Sequence, residues 1–251
     1  FKASYTPVFL GAVPGGKKLG ACAVEGNSLI VAYDVGTPTA SLQRVPLVRT
    51  CDGAHVSSIG PAAKEVDAPG IDLGFLSNPY AYVPTRAASA VPFPYIECTN
   101  GACAKSFDFT TGDPAATSLS LALLPDIFNV ATLRAYATSS ANMYDLDKAL
   151  KTLTKINTLT SFPVTQPVAV GAGSPVFGPR YAISPVDGLM KISFLEIDND
   201  GVLIRPSGAA IFATTTIPLR GACRDLATGD MIFTASDGSG RIDSIKGFAK
   251  P

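Results

Sequence analysis

A hairpin-like unit recurs along this chain at intervals of 36, 39, 39, 46 and 40 residues, and no other feature limits its fold so tightly. The units begin at Leu19 (LGACAVEGNSLIVAYDVG), His55 (HVSSIGPAAKEVDAPGIDLGF), Pro94 (PYIECTNGACAKSFDFTTGD), Leu133 (LRAYATSSANMYDLD), Pro179 (PRYAISPVDGLMKISF) and Leu219 (LRGACRDLATGDMIFTAS). Each has a run of small residues, a turn residue, and a second run ending in apolar or aromatic residues, the signature of a β-hairpin. Gly-Ala-Cys occurs three times, at Gly20, Gly101 and Gly221, with separations of 81 and 120 residues. Both are near multiples of about 40, the length of a four-stranded repeat.

Further β-rich runs lie between the hairpins: SLQRVPLV, PYAYVPT, SLSLALL, SFPVTQPVAV and GAAIFATTTI. A hairpin plus another strand pair per period makes about four strands per unit. The N-terminal run SYTPVFL has no hairpin of its own, and the last unit is short by a strand. A ring in which the first strand completes the last unit resolves both, and closure removes exposed sheet edges. The pattern resembles a six-bladed β-propeller spanning residues 1–251 as a single domain, with a β-sandwich or another all-β domain as the alternative. The resemblance is to an architecture and not to a named family. It implies a rigid disc that presents loops for binding, and a fold does not by itself assign a function.

Glycine (23) and proline (20) are spread along the chain and break helices nearly everywhere. The most helical stretch, from Ser139 to Leu153, has Met143, Leu146, Leu150 and Leu153 at helical spacing. Its place in the repeat favours a strand followed by a short helical turn. No apolar run is long enough for a transmembrane helix, so no membrane insertion is expected. The chain opens at Phe1, which reads as a mature product or a piece of something longer.

Charged residues are only 16%, against roughly 25% in typical soluble domains, and Lys plus Arg balances Asp plus Glu at 20 each. That composition gives no attraction to nucleic acid or anionic membrane. A weakly charged surface is poorly soluble alone, which favours a larger assembly or a homo-oligomer over a bare monomer.

Of the five cysteines, Cys98 and Cys103 flank Thr99-Asn100-Gly101-Ala102. Asn-Gly is a strong signal for a two-residue turn. It would place the two cysteines opposite each other at a non-hydrogen-bonded position, close enough for a disulfide. Two facing thiols are the alternative. A disulfide implies an extracellular compartment or the surface of a virion or cell. Cys22 and Cys223 share a repeat phase in the first and last units. Equivalent points on adjacent blades are expected to lie too far apart for a bond, so both read as small buried thiols.

No Cys-x-x-Cys is present, the single histidine is His55, and neither a metal nor a cofactor is expected. Cys51, Asp52 and His55 are too close in sequence to converge as a catalytic set, and His55 reads as a loop residue beside an Asp-Gly turn. Asp198-Asn199-Asp200-Gly201 lacks the later ligands of a calcium loop and reads as a polar turn. So does Ser236-Asp237-Gly238-Ser239-Gly240. The Gly-rich stretches at Gly15 and Gly171 lack the features of phosphate loops.

Arg134, Arg180 and Arg220 stand at the same phase of three successive units. In a propeller that phase would gather three guanidinium groups at one mouth of the channel, a candidate site for an acidic glycan or another anion. The alternative is that each pairs with a nearby carboxylate such as Asp225, Asp187 or Asp145. The combined expectation is a non-enzymatic binding or attachment module for a glycan or protein ligand. A structural shell protein and a glycan-acting or esterase-type hydrolase are the alternatives.

Overall fold

The computed structural model describes residues 7–15, 17–35, 40–68, 73–76, 80–84, 92–99, 102–109, 116, 118–125, 131–137, 142–158, 166, 168–170, 180–185, 191–197, 200, 202–204, 211–215 and 217–246. Among them the regular elements are strands, and no helix is long and apolar enough to cross a membrane.

The first strand, β1 (Val8–Ala12), belongs to the last sheet. Blade one follows with β2 (Leu19–Glu25), β3 (Ser28–Asp34), β4 (Ala40–Arg49), β5 (Val56–Ile59) and β6 (Ala63–Ala68). Blade two holds β7 (Gly74–Leu76), β8 (Ala81–Val83), β9 (Phe93–Thr99) and β10 (Ala102–Phe109). Blade three holds β11 (Ser120–Pro125), β12 (Ala131–Ala137), β13 (Asn142–Asp147) and β14 (Thr152–Thr158). Blade four holds β15 (Val168–Val170), β16 (Arg180–Pro185), β17 (Lys191–Ile197), β18 (Leu203–Ile204) and β19 (Ile211–Thr214). Blade five holds β20 (Leu219–Arg224), β21 (Met231–Ala235) and β22 (Arg241–Ile245), with β1 as its outermost strand.

The described residues thus form five antiparallel sheets, not six. The inner strands β20, β2, β7, β11 and β15 meet their neighbours in turn around a ring, and β15 returns to β20. No sheet closes on itself. The His55 unit is the one that fails as a blade. Strand β4 is ten residues long, its first half pairing with β6 and its last residues with β5. The two short strands together supply the outer position of blade one. Blade four repeats the device, because β18 and β19 both pair with β17.

Closure by the N-terminal strand is as expected: Val8 pairs with Ser244 and Ala12 with Arg241. Of the Ser139–Leu153 stretch, the described part is strand β13, a turn in which the Asp147 carboxylate accepts the Ala149 and Leu150 N–H groups, and the start of β14; residues 139–141 fall outside the described residues.

The core lies between blades. Leu19, Cys22, Leu29, Val45, Cys223, Ile232 and Ile242 pack blade five against blade one. Ile30, Leu42, Phe75, Tyr80 and Tyr82 join blades one and two. Tyr95 stacks on Phe107 at 4.8 Å between ring centroids, within the layer that joins blades two and three. Leu124, Tyr136, Met143, Leu195 and Ile197 join blades three and four. Such alternating strand faces bury apolar area on both sides of each blade.

Inner strands approach so closely that side chains are excluded. A Cβ on Gly221 would lie 2.4 Å from the Gly20 carbonyl oxygen, and one on Gly74 would lie 2.3 Å from that of Leu119. Only glycine fits there.

Candidate functional site

Cys22 and Cys223 are joined by a disulfide, with Cα atoms 5.7 Å apart. This corrects the expectation of two separate thiols. Both lie on inner strands, β2 and β20, where blades converge on the axis and the spacing between equivalent positions is smallest. The amide of Gln166, itself 3% exposed, is inserted beside the bond. Its Oε1 accepts the N–H groups of Cys22 and Ala222, both at 3.1 Å, and its Nε2 donates to the Cys22 carbonyl at 2.7 Å. Gln166 therefore acts as a peptide unit laid between two strands that do not pair directly. The Thr234 hydroxyl adds a bond to the Gly20 carbonyl and accepts the Gly221 N–H.

One end of this seam carries the charged cluster most capable of chemistry. The turn from Thr50 to His55 is held by the Thr50 N–H to the His55 carbonyl and by the Thr50 side-chain oxygen, which accepts the His55 N–H. Asp52 accepts the Thr50 hydroxyl at 2.5 Å and the Ala54 N–H at 3.0 Å, and these bonds hold its carboxyl below the ordinary range. Opposite stands the β20–β21 turn. There Asp225 accepts the Ala227 N–H and the Thr228 hydroxyl, and Gly229 takes φ 74°.

Blade one clamps both acids of that turn. Arg49 donates to both oxygens of the buried Asp225, through NH2 at 3.0 Å to each and through Nε at 3.2 Å to one, and also reaches Asn27 and the Gly26 carbonyl. His55 Nδ1 lies 2.9 Å from Asp230 Oδ1, and the Val56 N–H donates to Oδ2 at 2.8 Å. Asp230 is fully buried, while the imidazole is 32% exposed. In the tautomer that donates Nδ1–H to Asp230, His55 presents an Nε2 lone pair that can accept a proton from a bound hydroxyl. The buried carboxylate fixes tautomer and orientation.

The histidine's partner is thus 175 residues away in sequence and not the neighbouring Asp52. No spacing rule could have found Asp230, and the DLATGD turn carries only a loose acidic signal. Cys51 is an exposed free thiol on the same turn. Among the described residues, no group of three or more His, Cys, Asp or Glu side chains is arranged to hold a metal ion.

The three arginines do not share a strand position. Arg134 and Arg180 lie on second strands, β12 and β16, and Arg220 on the inner strand β20. The hairpins that suggested a common phase occupy different parts of their blades, inner for β20–β21, middle for β12–β13 and β16–β17, and outer for β9–β10. Arg134 is buried, pairs with Asp145 at 2.5 Å and donates to the Asp200 carbonyl at 2.8 Å. That is the alternative role weighed for it. Asp225 is taken by Arg49. Asp187 and the turn residues Asn100 and Gly101 fall outside the described residues.

Cys98 and Cys103 are joined as expected, opposite each other in the β9–β10 ladder with Cα atoms 4.1 Å apart. Two disulfides are at home in an oxidising environment such as the extracellular space or the periplasm.

No protein-family model and no curated protein matches this chain. Solved structures of β-propeller proteins do. A glutaminyl cyclase from Myxococcus xanthus aligns over 97% of both chains with a TM-score of 0.53 and 9% identity. An auxiliary nutrient binding protein from Bacteroides ovatus aligns over 96% of this chain and 77% of its own, with a TM-score of 0.48 and 9% identity. A gluconolactonase from Xanthomonas campestris aligns over 98% and 97%, with a TM-score of 0.45 and 12% identity. At these identities the likeness is one of fold alone.

Proposed function

We propose that this protein is a rigid propeller-shaped binding module of an extracellular or periplasmic compartment. Its ligand, a glycan or a protein, meets the end where Arg49–Asp225 and His55–Asp230 hold the turns of blades one and five together. The observation that carries this reading is the double closure of the ring, by the β1–β22 ladder and by Cys22–Cys223. Preorganised loops lose little freedom on binding, which raises affinity without added contacts. Leu226, 56% exposed on the β20–β21 turn, offers an apolar contact beside the polar His55.

Display on a virion, an appendage or a cell surface is the form this module takes in such a compartment. Its weakly charged, neutral chain suits a larger assembly. A glycan array and a cross-linking screen on the secreted chain test it. Hits weakened about tenfold by Leu226→Ala or His55→Ala, with the fold intact, support it. Hits insensitive to both, or none, remove it.

One observation favours an enzymatic second reading, the orientation of His55 by a buried carboxylate. The fold also serves a protein named as a glutaminyl cyclase. Turnover of ester or glycoside substrates lost in His55→Ala and kept in Arg134→Lys would establish it in place of the first.

A further inference from the structure

The rim disulfide touches a part-buried polar chain that the proposed function does not use. Tyr80, fully buried ahead of β8, donates its hydroxyl proton to Glu65 at 2.5 Å. Glu65 is clamped by Arg44, whose Nε and NH2 each lie 2.9 Å from one carboxylate oxygen. Arg44 also donates to Glu25 at 2.7 Å. On its other side the Tyr80 oxygen lies 3.3 Å from Cys103 Sγ. Burial, then the bond to Glu65, pushes the phenol pKa up, so it stays protonated. Its single proton is committed to Glu65. In the disulfide state the sulfur has no proton to give, so the oxygen faces it with an unused lone pair. Reduction puts an S–H at that place. The reduced state thereby gains a hydrogen bond that the oxidised state lacks, and a differential contact of this kind shifts an equilibrium.

Access differs as sharply as chemistry. Cys22 and Cys223 are 1% and 3% exposed on inner strands. Cys103 is only partly buried, on β10, the outermost strand of its sheet. Cys98 is fully buried.

We propose that Cys98–Cys103 is a thiol–disulfide exchange site for a dithiol reductant, while Cys22–Cys223 is inert. A thiolate of the reductant attacks Sγ of Cys103, the less buried of the two cysteines. The Cys98–Cys103 bond breaks, Cys98 leaves as a thiolate, and it then takes a proton. The reductant's second thiolate attacks its own sulfur in the mixed disulfide and releases Cys103. The protein gains two electrons and two protons, and the dithiol leaves as a disulfide. The Cys103 thiol then donates to Tyr80. The β9–β10 ladder and the backbone bond from the Cys98 N–H to the Tyr80 carbonyl at 3.0 Å keep the strands in place. This site is independent of the ligand-binding end.

The test is graded dithiothreitol on the intact, folded chain, followed by acid quench, alkylation and mass spectrometry of tryptic peptides. Residues 87–105 carry both rim cysteines, residues 221–224 carry Cys223, and residues 50–64 carry Cys51 as an alkylation control. The expected result is double alkylation of 87–105 about tenfold or more faster than alkylation of 221–224, with far-UV circular dichroism unchanged. Equal rates, or reduction of 87–105 only as the fold is lost, overturn the proposal. In folded Tyr80→Phe the reductant midpoint for 87–105 should rise about two- to fivefold, the value of one weak hydrogen bond. An unchanged midpoint removes the role given to Tyr80. The peptide comparison needs no variant, so the site is decided even if Tyr80→Phe does not fold.

Discussion

Cys22–Cys223 and Cys98–Cys103 are the same bond placed in opposite settings. The first joins residues 201 apart, on neighbouring inner strands of the first and last blades. The second joins residues five apart, across a hairpin whose ladder already holds them together. In the chain-entropy account the long loop is worth on the order of 5 kcal/mol and the short one about 2. Their surroundings differ in the same sense. The axial bond is wrapped by Gln166, Thr234 and a glycine contact, all backbone-directed and buried. The rim bond faces side chains, Tyr80 and beyond it Glu65 and Arg44. Covalent closure of a ring acts where the chain ends meet, whereas a rim bond is free to do chemistry.

Removing each element in turn breaks or sharpens that contrast. The largest effect belongs to Cys22→Ser with Cys223→Ser, which should lower stability by on the order of 5 kcal/mol. Urea unfolding followed by far-UV circular dichroism reads it, since the chain has no tryptophan. An unchanged midpoint would mean that the β1–β22 ladder closes the ring unaided. Next comes Gln166→Leu, which leaves two buried N–H groups and a carbonyl without their partner. A loss of about 2–4 kcal/mol is expected, with faster hydrogen exchange at the Cys22 and Ala222 amides. Slow exchange at both would show that the glutamine merely fills space.

Cys98→Ser with Cys103→Ser should cost about 2 kcal/mol and leave the β9–β10 cross-strand contacts visible by NMR. A cost equal to the axial pair would erase the distinction. Glu65→Gln removes the charge facing Arg44 and one of the two acceptor oxygens, so one Arg44 bond is lost while the remaining oxygen can still accept from Tyr80. With Arg44 30% exposed, about 1 kcal/mol is expected, read from the same urea curves.

The smallest effect lies on the exposed turn. The Asp52 carboxyl, held below its ordinary value of 3.8 by Thr50 and the Ala54 N–H, adds stability above that pH. The contribution fades as pH falls through the lowered value. Asp52→Asn should therefore lower the thermal midpoint slightly at neutral pH and not at strongly acid pH. A difference that persists in acid would point away from the charge.

Local signals in the chain were read well where they depended on nearby residues. The Asn-Gly hairpin put Cys98 opposite Cys103, and the strands β2, β3, β12, β13, β16, β17, β20 and β21 lie where the small-residue runs and turns put them. The blade count failed because a hairpin looks alike wherever it sits within a blade. The His55 unit supplied two halves of one outer strand, and Ala102 and Cys103 of the second tripeptide lie on the outermost strand β10, while Gly20 and Gly221 face each other at the axis. The arginine phase failed for the same reason. At the candidate site, His55 was visible as the single histidine, but Asp230, Asp225 and Arg49 belong together only through the meeting of the first and last blades.

The sequence by itself determined the strand content, the hairpin turns, the rim disulfide and the use of the first strand to finish the last sheet. Each follows from the conformational preferences of residues a few positions apart, or from a strand left without a partner. Only the tertiary structure decided the number of blades, the Cys22–Cys223 seam, the insertion of Gln166 and the His55–Asp230 pair. These depend on the radius at which a strand sits in the ring. Distance from the axis sets how near neighbouring backbones come, and nothing in the local order of residues encodes it.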